Sequence, residues 1–243
     1  MDTLISHISP KSPMAEAYRT LRTNIQFADL DTEIKTIVFT SAMAQEGKTT
    51  TVSNMGIVSA KAGKRVLIID ADMRKPSIHK TFKKVNSKGL SDALISDEAP
   101  GNFIFKSEEN GLDLMLSGPI PPNPSEILGS KRMRALIEKL KADYDLILVD
   151  APPVGIVTDA QILASFLDGT IMVLRVGHAD RRQSAYAAEL LRNVNAHLLG
   201  VVLNRLPLGE GGYYRYKYYS YYGGAYVEEN EPKKRGLFGR KKK

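Results

Sequence analysis

The stretch Ala42-Met43-Ala44-Gln45-Glu46-Gly47-Lys48-Thr49-Thr50 has the residue types and spacing to hold a polyphosphate. Consecutive backbone N–H groups at a helix N-terminus can wrap such an anion. In this reading Gln45, Glu46, Gly47, Lys48, Thr49 and Thr50 form the cradle. Gly47 lets the backbone approach, Lys48 reaches the β- and γ-phosphates, and the Thr49 hydroxyl ligates Mg²⁺. Ala42 stands where the usual G-x-x-x-x-G-K-[ST] pattern has its first glycine.

Two acidic clusters share this chemistry. The apolar run Val66-Leu67-Ile68-Ile69 ends in Asp70-Ala71-Asp72-Met73-Arg74, and Leu146-Ile147-Leu148-Val149 ends in Asp150-Ala151-Pro152-Pro153. Continuous apolar runs of this length suit parallel strands buried on both faces. Ligands of an open α/β sheet bind outside the carboxyl ends of its strands, so Asp70, Asp72 and Asp150 are expected beside the phosphate loop.

Together these residues resemble the bacterial tyrosine kinase family. The match consists of the imperfect phosphate loop, the apolar run followed by D-x-D-x-R (Leu67 to Arg74), and the apolar run followed by D-x-x-P (Ile147 to Pro153). Glu16, Arg19 and Arg22 also fit the family's E-x-x-R-x-x-R oligomerisation motif. The resemblance implies an ATP- and Mg²⁺-dependent protein tyrosine kinase. Lys48 serves the phosphates, Thr49, Asp72 and Asp150 hold the ion, and Asp70 accepts the tyrosine proton. It further implies a homo-oligomer, protein substrates bearing tyrosine, and a role in exopolysaccharide or capsule synthesis. Some members are fused to a transmembrane adaptor. This chain would meet its adaptor as a separate activator protein, at the inner face of the cell membrane. The alternative is a non-kinase P-loop ATPase of the partitioning or positioning type. Those carry a lysine early in the loop, where this chain has Met43.

The elements that must position these groups follow from pattern. Thr36-Ile37-Val38-Phe39-Thr40 is the strand feeding the loop, and residues 48–62 are the helix leaving it, stopped at Gly63. Ser12 caps a helix starting at Pro13, with Met14, Tyr18, Leu21, Ile25 and Ala28 as its apolar stripe and Glu16, Arg19 and Arg22 toward the other face. Residues 1–12 read as a loose arm. Short helices are expected over Pro76 to Phe82 and Leu90 to Ile95, a strand over Leu112 to Leu116, and an ordered proline-rich loop over 118–124. Helices at 130–141, 158–166 and 181–193 alternate with strands at 146–149, 170–176 and 198–203. The expected fold is a doubly wound, largely parallel α/β sheet with helices on both faces.

Composition agrees. The 243 residues, 43% hydrophobic and without cysteine, suit one sizeable domain in a reducing cytosol. No apolar run approaches the ~20 residues of a membrane span, which leads us to expect a soluble cytoplasmic chain. The net charge of +7 equals the seven basic residues among 233–243, so the rest of the chain sums to zero.

Residues 1–206 therefore read as the kinase domain and 207–243 as a flexible tail. Eight of the eleven tyrosines fall there: Tyr213, Tyr214, Tyr216, Tyr218, Tyr219, Tyr221, Tyr222 and Tyr226. Aromatics mixed with Arg215 and Lys217 could stack on single-stranded nucleic acid, but the chain before residue 233 carries no net positive charge to track its backbone. Autophosphorylation is the simpler reading. The basic end, with Leu237 and Phe238, has the make-up either of a solubilising terminus or of a patch for anionic lipid.

Overall fold

The computed structural model describes residues 4–28 and 33–206. The eight tail tyrosines and the basic terminus lie outside the described residues.

The amino-terminal half runs α1 (Ile5–Ile8), α2 (Pro13–Gln26), β1 (Thr36–Ser41), α3 (Lys48–Ala60), β2 (Val66–Asp70), α4 (Ile78–Thr81), α5 (Leu90–Ile95), β3 (Phe105–Lys106) and β4 (Leu112–Met115). It continues through α6 (Pro124–Leu128), α7 (Lys131–Asp143), β5 (Leu146–Asp150), α8 (Asp159–Ala164), β6 (Gly169–Arg175), α9 (Arg181–Asn193) and β7 (Leu198–Asn204). The strands form one seven-stranded sheet in the order β3-β4-β2-β5-β1-β6-β7. All neighbours are parallel except β3 and β4.

Alternation along the central strands divides the apolar residues between two cores. Val38, Leu67, Ile69, Ile147 and Val149 face a core completed by α7, α8 and α9. Ile37, Phe39, Val66, Ile68 and Leu148 face another, completed by α2 and α3. Helices thus cover both faces, and β1, β2 and β5 are buried along their whole length. This doubly wound arrangement is the expected one.

Three local expectations change. Residues 1–12 include a packed turn of helix: the Ser6 N–H donates to Asn54 Oδ1 at 2.9 Å and Lys61 Nζ donates to the Ser6 carbonyl at 2.9 Å, fastening α1 to α3. In α2 the Ser12 hydroxyl accepts from the Ala15 N–H at 3.2 Å, as a cap should. The stripe is narrower than its spacing suggests, however. Tyr18, Leu21 and Ile25 pack on the core, but Met14 and Ala28 are exposed, and Ala15 is buried instead. Arg22 is not on a wholly polar face either: it is half-buried and donates to the Val58 carbonyl at 3.0 Å.

Candidate active site

Phosphate-loop geometry follows from two backbone choices. Gln45 and Gly47 take positive φ, 63° and 96°. Gly47 has a second constraint, because a Cβ there would come within 2.0 Å of Asn204 Nδ2. That amide donates to the Glu46 carbonyl at 3.0 Å, tying the end of β7 to the loop. Inside the loop the Met43 N–H donates to Glu46 Oε2 at 3.0 Å, and the Ser41 hydroxyl donates to the Met43 carbonyl at 2.6 Å. Ala42, in place of the first glycine, is fully buried with its carbonyl close against Gly155. α3 then starts at Lys48, so the first N–H groups of a thirteen-residue helix face the loop with no side-chain cap.

The two Asp-bearing strands arrive where the sheet rule puts them. Asp70 and Asp150 are register partners at the carboxyl ends of β2 and β5. Thr49 Oγ1 donates to Asp150 Oδ2 at 2.5 Å and lies 2.8 Å from Ser77 Oγ. Asp70 Oδ2 accepts from the Ser77 and Ile78 N–H groups at 2.9 and 3.0 Å, so the carboxylate supplies the cap that Ser77's own side chain does not. This is why α4 begins at Ile78 and not at Pro76. The remaining oxygens, Asp70 Oδ1 and Asp150 Oδ1, are buried without a partner.

Electrostatics of the pair are those of two acids taken out of water together. Burial, then the facing Asp150, holds the Asp70 carboxyl well above the usual carboxylate range. Burial lifts Asp150 to about 6, against the opposing pull of Lys48 and the Thr49 hydrogen bond. Asp72 is also raised by burial, less completely: it is half-buried, accepts from the Lys75 N–H at 3.0 Å, and is drawn back by Lys48. Asp150 Oδ1, unpartnered beside the Thr49 hydroxyl, gives a hard-oxygen pair that fits Mg²⁺. Among the described residues no three acidic or imidazole side chains converge into a metal cage. An ion here would complete its shell from phosphate and water.

The structure brings Lys48, Thr49, Asp70, Asp72 and Asp150 together at the carboxyl edge of the sheet. Asp70 is fully buried, so a tyrosyl oxygen reaches it only if its cover moves. Glu16 and Arg19 pair within α2, and Arg19 also donates to the Pro10 carbonyl. Four residues had no part in the sequence reading. Ser77 abuts Thr49, and Asn204 holds the loop. Arg74 Nε and Nη2 donate to both oxygens of fully buried Asp159 at 2.9 and 3.0 Å, and Ser125 Oγ joins them at 2.6 Å from Asp159 Oδ1. Asn204 ends a strand, as Asp150 does, and that position was the available signal. Ser77, Ser125 and Asp159 carried none.

Residues 34–178 match the family model of an AAA domain. The chain is 42% identical over 220 residues to the tyrosine-protein kinase YwqD of Bacillus subtilis (strain 168), covering 90% of this chain and 91% of that one. Among solved structures it resembles the chimerical protein CapA2B2, with a TM-score of 0.82, 40% identity, and 85% and 91% of the two chains covered. It also resembles the kinase domain of Escherichia coli tyrosine kinase ETK, with a TM-score of 0.79, 31% identity, and 85% and 82% covered.

Proposed function

The chain belongs to the bacterial tyrosine kinase family, P-loop enzymes of the capsule and exopolysaccharide type, and from that premise we propose that its own tyrosine-rich tail is a substrate. The γ-phosphoryl group of Mg-ATP passes to tyrosines among Tyr213, Tyr214, Tyr216, Tyr218, Tyr219, Tyr221, Tyr222 and Tyr226, chiefly from one subunit of a homo-oligomer to another. The observation that carries this reading is the Thr49–Asp150 hydrogen bond at the phosphate loop, with an unpartnered oxygen on each of Asp70 and Asp150, in a chain that bears eight tyrosines within fourteen residues.

Phosphoryl transfer asks mostly for positioning and charge stabilisation. Gln45 to Thr50 cradle the phosphates and Lys48 offsets their charge. Thr49, with Asp72 and Asp150 directly or through water, would hold Mg²⁺, which when bound would supply charge neutralisation at the phosphoryl oxygens. Asp70 takes the tyrosine proton at Oδ1. Its raised proton affinity suits a base that meets a phenol better than an ordinary aspartate would.

The activator is a separate transmembrane adaptor, and the kinase sits against the inner face of the membrane. The solved chimerical protein CapA2B2, which by its name joins a CapA part to a CapB part, supports that. The rival positioning ATPase has no use for the tyrosines and would need a lysine where Met43 stands.

The test mixes an active subunit, its eight tail tyrosines replaced by phenylalanine, with a Lys48→Met subunit of native tail. Phosphotyrosine on the inactive subunit, read by mass spectrometry, is the expected result. A tail that stays unmodified while wild type labels itself overturns transfer between subunits, and an unlabelled wild type overturns the tail as substrate.

A further inference from the structure

Immediately after Asp72 the chain lines one wall of a groove of about 620 Å³, whose other wall is the turn Gly118-Pro119-Ile120. Its lining contains Arg74, Lys75, His79 and Lys80 and no acidic residue. Arg74 is committed to Asp159. His79 is held below its ordinary pKa by burial and by Lys80, so near neutral pH it adds no charge. The positive potential therefore comes from Lys75 and Lys80, both exposed and neither ion-paired among the described residues. Ser77 lines the groove as well, with its hydroxyl 2.8 Å from that of Thr49, so the groove opens directly beside the phosphate loop.

A cationic groove there adds nothing to nucleotide binding that Lys48 and the loop do not already supply. It suits an anionic stretch of the phosphate acceptor. In this chain three glutamates, Glu228, Glu229 and Glu231, follow Tyr226 within five residues, whereas none separates the tyrosines from one another. A fully extended chain advances about 3.3 Å per residue and would carry Glu228 and Glu231 roughly 7 and 17 Å beyond Tyr226. A tyrosine at the reaction centre can thus lay its acidic sequel along a groove that begins next door.

We propose that Lys75 and Lys80 are specificity residues, and that their groove takes the Glu228–Glu231 stretch of a second copy, selecting Tyr226 over the tyrosines before it. The inference rests on the kinase reading and goes beyond it by naming the feature that selects the acceptor. Exposed ion pairs are individually weak, so the selection should be about five- to tenfold, expressed in KM more than in kcat and shrinking with salt.

The test uses full-length enzyme with its tail tyrosines replaced by phenylalanine and Glu228, Glu229 and Glu231 by glutamine, so that the tail does not compete. Two synthetic peptides spanning residues 223–232 serve as acceptors, one native and one with all three glutamates changed to glutamine. The native peptide should show the lower KM, and a Lys75→Glu/Lys80→Glu enzyme should prefer a third peptide carrying lysine at those positions. Comparing peptides within each enzyme cancels any effect of the charge reversal on turnover. Equal KM values for the first two peptides overturn the groove assignment and leave the kinase reading intact. So does phosphorylation of the native tail in the wild-type enzyme with no phosphorylation of either peptide. Absence of phosphotyrosine from every peptide and from the wild-type tail instead sinks the kinase reading.

Discussion

Thr49 Oγ1 donates to Asp150 Oδ2 at 2.5 Å, so the loop's hydroxyl is joined to the acid beside which an ion would bind. Asp150, its other oxygen unpartnered, ionises only near pH 6. An acid whose folded pKa is raised contributes stability fully below its unfolded value, near 4, and loses it as pH climbs through the folded value. The ligand-free protein should therefore melt lower at pH 7.5 than at pH 5, with Asp70 acting in the same direction. The shift in Asp150 corresponds to on the order of 2–3 kcal/mol at neutral pH, and Asp150→Asn should recover part of it. Thermal melts of both proteins across that range decide it. A melting temperature rising from pH 5 to 7.5 would contradict the raised pKa.

Lys48→Met should leave the fold intact and abolish transfer, with at least a hundredfold loss, on the order of 3 kcal/mol of barrier. Lys48 has no ion-pair partner among the described residues, so its replacement breaks no salt bridge of the fold. Near-normal activity in the folded variant would end the P-loop assignment.

Asp70→Asn and Asp72→Asn should separate. If Asp70 accepts the proton, its variant keeps Mg-nucleotide affinity and loses kcat, whereas Asp72→Asn weakens Mg-nucleotide binding. Titration calorimetry beside steady-state kinetics reads both, and the opposite pattern exchanges the two roles.

Gly47→Ala should be more damaging than φ strain alone predicts. The new Cβ meets Asn204 Nδ2 at 2.0 Å as well as imposing a left-handed conformation on alanine. Asn204→Gly removes the clash and leaves the strain, so the double variant should recover part of the nucleotide affinity. Recovery to wild-type affinity, or none, would show that only one of the two constraints operates.

Replacing Glu16 and Arg19 by alanine should dissociate the oligomer and leave the melting temperature nearly unchanged, since their pairing is exposed. Arg22→Ala should also cost stability, because its guanidinium serves the Val58 carbonyl of α3. Light scattering with thermal melts separates the effects. An unchanged oligomer in the Glu16/Arg19 variant would make the motif a solvated face.

What sequence could reveal followed from local pattern. Buried parallel strands must be apolar on both faces, so β1, β2 and β5 were legible as continuous runs, and the acids ending β2 and β5 followed from the sheet rule. The Ser12 cap and the Gly63 stop are local chemistry of the same kind. Interactions across the fold were not legible. Arg74 meets Asp159, 85 residues on, and Asn204 meets Glu46, 158 residues back, at distances no periodicity encodes. α1 and β3 are too short to show a period, and Met14 gave way to Ala15 where α1 packs against α2. Arg22 looked polar and is half-buried because its long stem lies along α3 while its head finds a carbonyl.

The strand that feeds the phosphate loop does not border β2, the strand that follows it in sequence. β1 is flanked by β5 and β6, pairing Thr36 with Ile147 and Ile37 with Gly169. During synthesis, then, β1 leaves the ribosome with no strand to join until more than a hundred further residues have been made. Until then its apolar edges are open to other chains. The nucleotide site therefore cannot assemble on the first half of the nascent polypeptide. A translation arrest before β5 should yield a product that binds chaperone and not ATP.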